Sequence, residues 1–191
     1  LALPIFDFRQ PAHGPFGQEE GFKGPGRPKR HDDQPILVFH DSSFTERLLE
    51  HYERYPQFVS PASARNEVVS FVKQGLRDIS MSRSSVSWGI PLAWDEEQVT
   101  YVWFDALLNY VSALGYPDDP RFATFWPRAQ HIVAKDILKP HGIYWPTMLM
   151  AAGVPLYKKL HVHGYWNVDE TKMSKSLGNV IRPAQLVQDY G

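Results

Sequence analysis

The sequence predicts an α/β fold with a parallel sheet whose strands are joined by crossover helices. Apolar and β-branched runs at 78–82, 99–104, 131–134 and 160–168 are typical of short strands, and helical patterns separate the last three of them. Neighbouring parallel strands need a long connection, usually a helix. This order of elements therefore favours a parallel sheet over an antiparallel meander.

Three helices are predicted in the same half of the chain. The first covers 104–115, and the second runs from 135 to about 152. The second is expected to be disturbed at Pro140 and Pro146, because proline has no amide hydrogen to donate. Pro183 is expected to open the third helix.

Two helices are predicted before the sheet. Ser43 and Glu46 have the spacing of a capping box, which predicts the start of the first helix. For the second, Ser60 is the expected N-cap and Pro61 the first helical residue. The segment 9–35 is rich in glycine, proline and charge, so we expect it to be disordered and to act as a linker. Its "GPGRPKR" stretch leaves a nucleic-acid-binding arm as the alternative.

Composition excludes several kinds of chemistry. The 191 residues include no cysteine, so disulfides, thiolate metal sites and cysteine nucleophiles are excluded. The longest apolar stretch, 148–156, is too short to span a bilayer, and nothing resembles a signal peptide. We therefore expect a cytoplasmic protein without a membrane partner.

Positive charge is concentrated in the last third of the chain. From Arg121 to Gly191 there are nine Lys and Arg residues against four Asp and Glu residues. Such a basic region suits an anionic partner such as a nucleotide or RNA, although an ordinary solvated surface explains the charge count as well.

The "AKD" sequence at 134–136 stands where a predicted strand ends and a helix begins. Open α/β sheets bind ligands at this position, and helix amides there favour anions. The small Ala134 would allow close approach, and Asp136 could accept hydrogen bonds from ligand hydroxyls. Alternatively, Asp136 only caps the helix and Lys135 is solvated.

A second pattern places aromatic residues on one helical face. Trp103, Ala106, Leu107 and Tyr110 recur at helical spacing, so two aromatic rings flank an alanine. Such a slot suits a thioether, since contacts between sulfur and aromatic rings are favourable. Core packing is the alternative interpretation.

The histidines do not predict a metal site. His161 and His163 point to the same side of a strand, with His131 and His141 nearby in sequence. A zinc site needs further ligands, and no acidic residue stands at a suitable spacing.

The stretch "ETKMSKSLGN" at 170–179 carries the strongest functional signal. Lys172 and Lys175 are flexible point charges that can follow phosphate oxygens as their charge grows. The small residues around them allow a loop to close over a nucleotide. A match to KMSKS arises by chance in roughly one chain in ten thousand of this length.

Together with "YVWFDALLNY", "KDILKPHGIYWPTMLMAAG" and "HVHGYWNVDETKMSKSLGNV", this stretch resembles the methionyl-tRNA synthetase branch of the class I aminoacyl-tRNA synthetases. The resemblance runs from about Leu48 to the end of the chain. It implies a Rossmann-type catalytic domain split by an insertion. The implied activity is activation of methionine by ATP, accompanied by Mg²⁺, followed by transfer to initiator and elongator methionine tRNAs.

The resemblance also implies roles for individual residues. Lys172 and Lys175 should contact the phosphates, Lys175 in the transition state. Arg83 matches an arginine close to the family's active site. The residues expected along ATP are Ala134, Asp136, His163, Gly164 and Trp166, and those expected around methionine are Trp103, Ala106, Tyr110, Ile137 and His141.

The sequence departs from the family in several respects. The family's HIGH signature and the zinc-binding cysteines of its insertion do not occur, and Ala134 replaces a usual glycine. The chain is thus interpreted as the C-terminal part of a catalytic domain, inactive by itself. Its expected divisions are 1–40, unassigned and disordered; 41–78, a helical segment at the end of the catalytic-domain insertion; and 79–191, the second half of the Rossmann-type domain with the KMSKS loop.

Two alternatives remain open. One is a non-catalytic module that binds RNA or a partner protein through the same motifs. The other is a free-standing nucleotidylyltransferase, which would leave the methionine-type pocket residues unexplained.

Overall fold

A computed structural model of the chain describes residues 6–7 and 38–191, apart from residues 85, 87, 94 and 169. The expected disorder of 9–35 lies outside these residues. In chain order, the strands within them are β1 (Phe6–Asp7), β2 (Val38–Phe39), β3 (Val59–Ser60), β4 (Ile79–Ser80), β5 (Ser82–Arg83), β6 (Pro91–Leu92), β7 (Asp95–Thr100), β8 (Gln130–Ala134), β9 (Lys159–His163), β10 (Asn167–Val168) and β11 (Thr171–Lys172).

The α-helices, in the same order, are α1 (Thr45–Arg54), α2 (Ala62–Lys73), α3 (Val102–Ser112), α4 (Pro120–Phe125), α5 (Trp145–Ala151) and α6 (Pro183–Tyr190). Single 3₁₀ turns cover Asp41–Phe44, Trp126–Arg128 and Lys135–Ile137, and a π-helical turn covers Pro140–Tyr144. None of the helices in the described part of the chain is long and apolar enough to cross a membrane.

A three-stranded parallel sheet in the order β3-β9-β8 confirms the predicted α/β fold. The run at 99–104 was wrongly predicted to join this sheet, because β7, which ends at Thr100, lies in the antiparallel sheet β5-β7-β6. The strand predicted at 78–82 is present as β4 and β5, in the antiparallel sheets β1-β2-β4 and β5-β7-β6. The loop between β6 and β7 is too short for a crossover connection, so β6 and β7 can pair only as an antiparallel hairpin. The predicted single strand at 160–168 is also divided, since β9 ends at His163 and β10 pairs with β11.

Helix α3 begins at Val102, so the prediction of strand through 104 was wrong. β-Branched and aromatic residues favour strands, but tertiary packing outweighs this preference. Phe104, Leu107 and Val111 are buried at helical spacing and anchor α3 against the core.

Two predicted N-caps were also wrong. Phe44, not Ser43, occupies the N-cap of α1, because the preceding 3₁₀ turn runs directly into the helix. Ser60 belongs to β3, and Pro61 takes the N-cap position of α2 with extended backbone.

The predicted disturbance of the segment 135–152 is confirmed. A 3₁₀ turn, a π turn starting at Pro140 and the short helix α5 follow one another there. Gly142 in the π turn lets α2 approach closely, since a Cβ atom at this position would lie 3.2 Å from Val68 Cγ2. Tyr52 of α1 donates a hydrogen bond to the Gly142 carbonyl and ties α1 to the same turn.

One hydrophobic core joins the helices to the parallel sheet. Tyr52 and Leu48 of α1, Leu149 of α5 and Leu160 of β9 are almost fully buried in it. Trp126 is buried as well and donates a hydrogen bond of 2.7 Å to the Pro155 carbonyl oxygen. This core fixes the carboxyl ends of β8 and β9, where the candidate site lies.

Candidate active site

The two central motifs meet at the carboxyl edge of the parallel sheet. Ala134, the last residue of β8, pairs with His163, the last residue of β9. The "AKD" and "HGYW" segments therefore leave the sheet side by side, at the edge where α/β folds bind ligands. Ala134 has φ −78° and ψ 160°, which any residue adopts, so its own backbone does not require glycine.

The residues after Ala134 form a 3₁₀ turn. Asp136 is exposed at this edge. Lys135 is not simply solvated, because its Nζ lies 3.3 Å from Glu67 Oε2 of α2. This ion pair is largely exposed, so it contributes little to stability. It turns Lys135 towards α2.

The aromatic face of α3 meets the π turn. Trp103 and Tyr110 are half-buried and Ala106 between them is exposed, while Leu107 points into the core. The Tyr110 hydroxyl lies 2.8 Å from His141 Nε2, and the Trp103 ring meets the His141 ring edge to face at 6.1 Å. Trp103, Tyr110 and His141, all expected around methionine, thus form one cluster through His141, and Ala106 lies between the two aromatic residues on α3. Ile137, the fifth expected residue, contacts His141 through its carbonyl oxygen.

Hydrogen bonds define the state of His141. Its Nδ1 lies 2.9 Å from the Ile137 carbonyl oxygen, which can only accept, so Nδ1 carries the proton. Burial lowers the pKa of His141, although its bond to Ile137 acts in the opposite direction. In the neutral ring Nε2 is an acceptor, and therefore the Tyr110 hydroxyl donates to it.

A second aromatic layer supports this pair, and the sequence analysis did not identify it. His131 Nε2 accepts a hydrogen bond of 3.2 Å from Trp145 Nε1. The His131 ring lies 4.3 Å from the rings of both Tyr110 and Tyr157. Burial, followed by the neighbouring His141, lowers the pKa of His131 to about 4. A neutral His131 thus packs between the rings of Tyr110 and Tyr157. In the sequence, only its place on a predicted strand could have indicated that His131 is buried.

Lys172 lies in a short hairpin that follows the sheet. β10 and β11 pair in antiparallel fashion around Glu170, which has φ 64°. Lys172 Nζ lies 3.7 Å from the centre of the Tyr165 ring, in cation–π geometry. Trp166 beside it is 69% exposed. The "HGYW" segment therefore contacts the first lysine of the loop directly.

Backbone hydrogen bonds hold the rest of the lysine loop. The Met173 amide donates to the Trp166 carbonyl at 2.7 Å, and the Ser174 amide donates to Asn179 Oδ1 at 2.8 Å. A turn over 175–178 ends at Gly178, whose φ of 70° favours glycine. Lys175 is exposed on this turn and has no carboxylate within 4.0 Å among the described residues.

Arg83 reaches a different part of the cluster. Its guanidinium lies 3.9 Å from the centre of the Tyr101 ring and donates to the carbonyls of Ser80 and Ser82 at 2.9 Å and 3.0 Å. Tyr101 immediately precedes α3, so Arg83 stands beside the helix that carries Trp103. Within the described residues, Arg83 makes no hydrogen bond or ion pair with the other candidate residues.

The two histidines of β9 are engaged elsewhere. His161 Nε2 lies 2.8 Å from Gln130 Oε1, and His163 Nδ1 lies 2.7 Å from the Gly164 carbonyl oxygen. Within the described part of the chain, no three His, Asp or Glu side chains are grouped so that they could hold a metal ion.

The parallel sheet, with a cationic loop beyond its strand ends, defines an α/β domain of the Rossmann type. The family model described as tRNA synthetases class I (M) matches residues 26–191. The chain belongs to this family.

Similar proteins agree with the match. The methionine–tRNA ligase of Rickettsia felis is 47% identical over 173 residues, covering 90% of this chain and 34% of the relative. That of Thermosynechococcus vestitus is 51% identical over 164 residues, covering 83% and 31%. A crystal structure of Mycobacterium tuberculosis methionyl-tRNA synthetase bound by methionyl-adenylate is 41% identical, with a TM-score of 0.74, covering 83% of this chain and 31% of that one.

These findings confirm the resemblance to methionyl-tRNA synthetases and the fold class inferred from the sequence. The chain spans about a third of the length of the curated relatives that it matches. The roles of individual residues stay predictions.

Proposed function

We propose that this chain contributes to a methionine–tRNA ligase, which activates methionine with ATP and transfers it to tRNA. The observation that carries the proposal is the position of the lysine loop. Lys172 contacts Tyr165 in the segment that leaves the sheet next to Ala134. The relative from Mycobacterium tuberculosis, whose structure contains methionyl-adenylate, supports the choice of reaction.

In the activation step, a carboxylate oxygen of methionine attacks the α-phosphorus of ATP. The bond from this phosphorus to the oxygen bridging to the β-phosphorus breaks, and pyrophosphate leaves with the electron pair. No general base is needed, because the carboxylate is already ionised at neutral pH. Negative charge grows on the leaving pyrophosphate, and positioned cations stabilise it. We assign this role to Lys175, assisted by Lys172.

The aromatic slot supplies selectivity for methionine. Trp103 and Tyr110 flank Ala106, and His141 orients the Tyr110 hydroxyl. Aromatic rings favour contact with a thioether sulfur. The shape of a pocket separates the binding free energies of two apolar amino acids by only about 1–3 kcal/mol per methylene. A slot of fixed shape is needed to obtain even this discrimination.

The strand ends are proposed to hold the nucleotide. Asp136 is the acceptor for the ribose hydroxyls, and Ala134 allows the ribose to approach the backbone. His163, Gly164 and Trp166 lie along the other side of ATP, which would enter together with Mg²⁺ that partly neutralises its phosphates. Arg83 of β5, which contacts Tyr101 just before α3, completes the proposed site.

In the transfer step, a terminal ribose hydroxyl of the tRNA attacks the carbonyl carbon of methionyl-adenylate, and AMP leaves. We propose initiator and elongator methionine tRNAs as acceptors. Because the sequence contains no HIGH signature, we expect the 191 residues alone to support no methionine-dependent exchange between ATP and pyrophosphate.

The test titrates the chain separately with a non-hydrolysable methionyl-adenylate analogue and with methionine tRNA, by calorimetry. Saturable binding of the analogue, weakened by Trp103→Ala but not by Phe125→Ala, supports the ligase. Phe125 is a suitable control because it is 57% exposed and lies on α4. Binding of tRNA without any binding of the analogue would instead identify a non-catalytic RNA-binding module.

A further inference from the structure

A second cleft lies at the opposite end of the parallel sheet from the candidate active site. It has a volume of about 580 Å³ and is formed where Phe58 enters β3 and Lys159 opens β9. A neighbouring hollow of about 200 Å³ runs along α1 and shares His51 and Tyr55 with it. We call the two together the α1 groove. Its combined size is within the range of small-ligand sites.

The charge of the α1 groove is mostly positive. Arg47 and Arg54 line it from α1, and Lys158 and Lys159 line it from the start of β9. Glu50 is the acidic residue of the lining. Within the described residues, none of the four cations has a carboxylate within 4.0 Å. Such a surface attracts an anionic ligand.

Aromatic rings form the floor and one wall. Tyr55 is 49% exposed, and the His51 ring lies 4.9 Å from the Tyr55 ring and 4.5 Å from the Phe58 ring. His51 Nε2 is buried and has no hydrogen-bond partner among the described residues. The exposed Gln57 adds an amide with both donors and an acceptor.

We propose that the α1 groove binds single-stranded RNA, with one base stacked on Tyr55 and the adjoining phosphates held by Lys158 and Lys159. Exposed aromatic rings among cations are the arrangement that binds unpaired nucleotides without strict sequence preference. An acidic peptide would use the cations but leave the exposed Tyr55 face without an aromatic base to stack on it. The proposal does not rest on the ligase function, since the groove shares no lining residue with the candidate active site.

The test measures binding of a fluorescein-labelled uridine octanucleotide to the chain by anisotropy. Uridine is chosen to avoid an adenine preference at the candidate active site. The double variant Lys158→Ala/Lys159→Ala should weaken binding at least tenfold and lower the slope of log K against log salt by about 1.4. Tyr55→Leu should weaken binding at least fivefold.

Matched controls are Lys73→Ala and Tyr190→Leu, since Lys73 is exposed on α2 and Tyr190 is 85% exposed. Both should bind like the unchanged chain. A loss of RNA binding on Lys172→Ala with none in the groove variants would overturn the proposal, because it places the RNA at the lysine loop. Equal competition by hexaglutamate would overturn it as well. Binding of the adenylate analogue should be unchanged in the groove variants, which separates this test from that of the ligase.

Discussion

The aromatic slot and the lysine loop are built in opposite ways. In the slot, His141 is 2% exposed and both of its ring nitrogens are hydrogen-bonded. In the loop, Lys172 and Lys175 are exposed, and the hydrogen bonds that shape the loop come mainly from its backbone.

This difference follows from the two tasks we propose. Discrimination among apolar side chains depends on a fixed cavity, which needs buried rings with satisfied polar atoms. Neutralisation of a leaving group depends on cations that can move with it, which needs flexible side chains on a loop that can close. Substitutions in the two regions should therefore have different signatures.

The largest effect is expected for Lys175→Ala. The host for the kinetic tests is a chimaera in which the matching part of this chain replaces the corresponding segment of the Rickettsia felis ligase. Loss of one transition-state contact costs about 10²–10³ in kcat. Methionine-dependent pyrophosphate exchange should fall by about this factor, with little change in KM for methionine. Lys73→Ala is the control, and unchanged exchange in Lys175→Ala would refute the role assigned to the loop.

The next effect concerns the pH dependence of stability. The pKa of His131 is lowered from 6.5 to about 4, so between these values the unfolded chain binds a proton that the folded chain does not. The contribution of His131 is complete above pH 6.5 and is lost as the pH falls. Relative to His131→Gln, the free energy of unfolding should decrease by up to about 3 kcal/mol between pH 7.5 and pH 4. Urea titrations check this, and parallel pH profiles would contradict it.

Asp41 should change the free energy of unfolding with pH in the opposite direction to His131. It is 1% exposed, and its Oδ1 has no hydrogen-bond partner among the described residues. Burial raises its pKa to about 6, with Asp78 adding to the effect and Thr147 on α5 opposing it. The folded state therefore loses stability as the pH rises through 6. Asp41→Asn should raise the free energy of unfolding by about 2–3 kcal/mol at pH 7.5 and leave it nearly unchanged at pH 4. A gain of equal size at both pH values would exclude ionisation as the cause.

A smaller effect is expected when the slot loses one hydroxyl. Tyr110→Phe leaves His141 Nε2 without its donor, which costs about 1–3 kcal/mol. Since the ring remains, KM for methionine should rise about tenfold while kcat changes little. Tyr116→Phe is a matched control, because Tyr116 is 40% exposed and lies beyond the end of α3. A fall in kcat alone would indicate that the hydroxyl acts in the reaction and not in binding.

The sequence was sufficient to predict those parts of the candidate site that depend on the spacing of nearby residues. The spacing of Trp103 and Tyr110 predicted a shared face, and the prolines at 140 and 146 predicted the broken helix that carries His141. Ala134 was predicted at the end of a strand, and β8 ends there.

The sequence was not sufficient to predict features that depend on contacts between residues far apart in the chain. Nothing local indicates that His131 packs between Tyr110 and Tyr157, because these residues lie far apart in the chain. The antiparallel pairing of β5 with β7 was missed for a related reason. Strand patterns alone do not state the direction in which neighbouring strands run.

The smallest effect, and the one that joins the two regions, is expected at Tyr165. Its ring holds Lys172 at 3.7 Å, and an exposed cation–π contact contributes about 0.5–1 kcal/mol. If this contact positions Lys172 for the phosphates, Tyr165→Leu should lower kcat/KM for ATP about two- to fivefold, and Tyr165→Phe, which keeps the ring, should not. An increase in Tyr165→Leu would reverse the interpretation, because the ring would then restrain Lys172 in an open loop. The direction of the change decides whether Lys172 is as free as its exposure indicates or is already positioned by the Tyr165 ring.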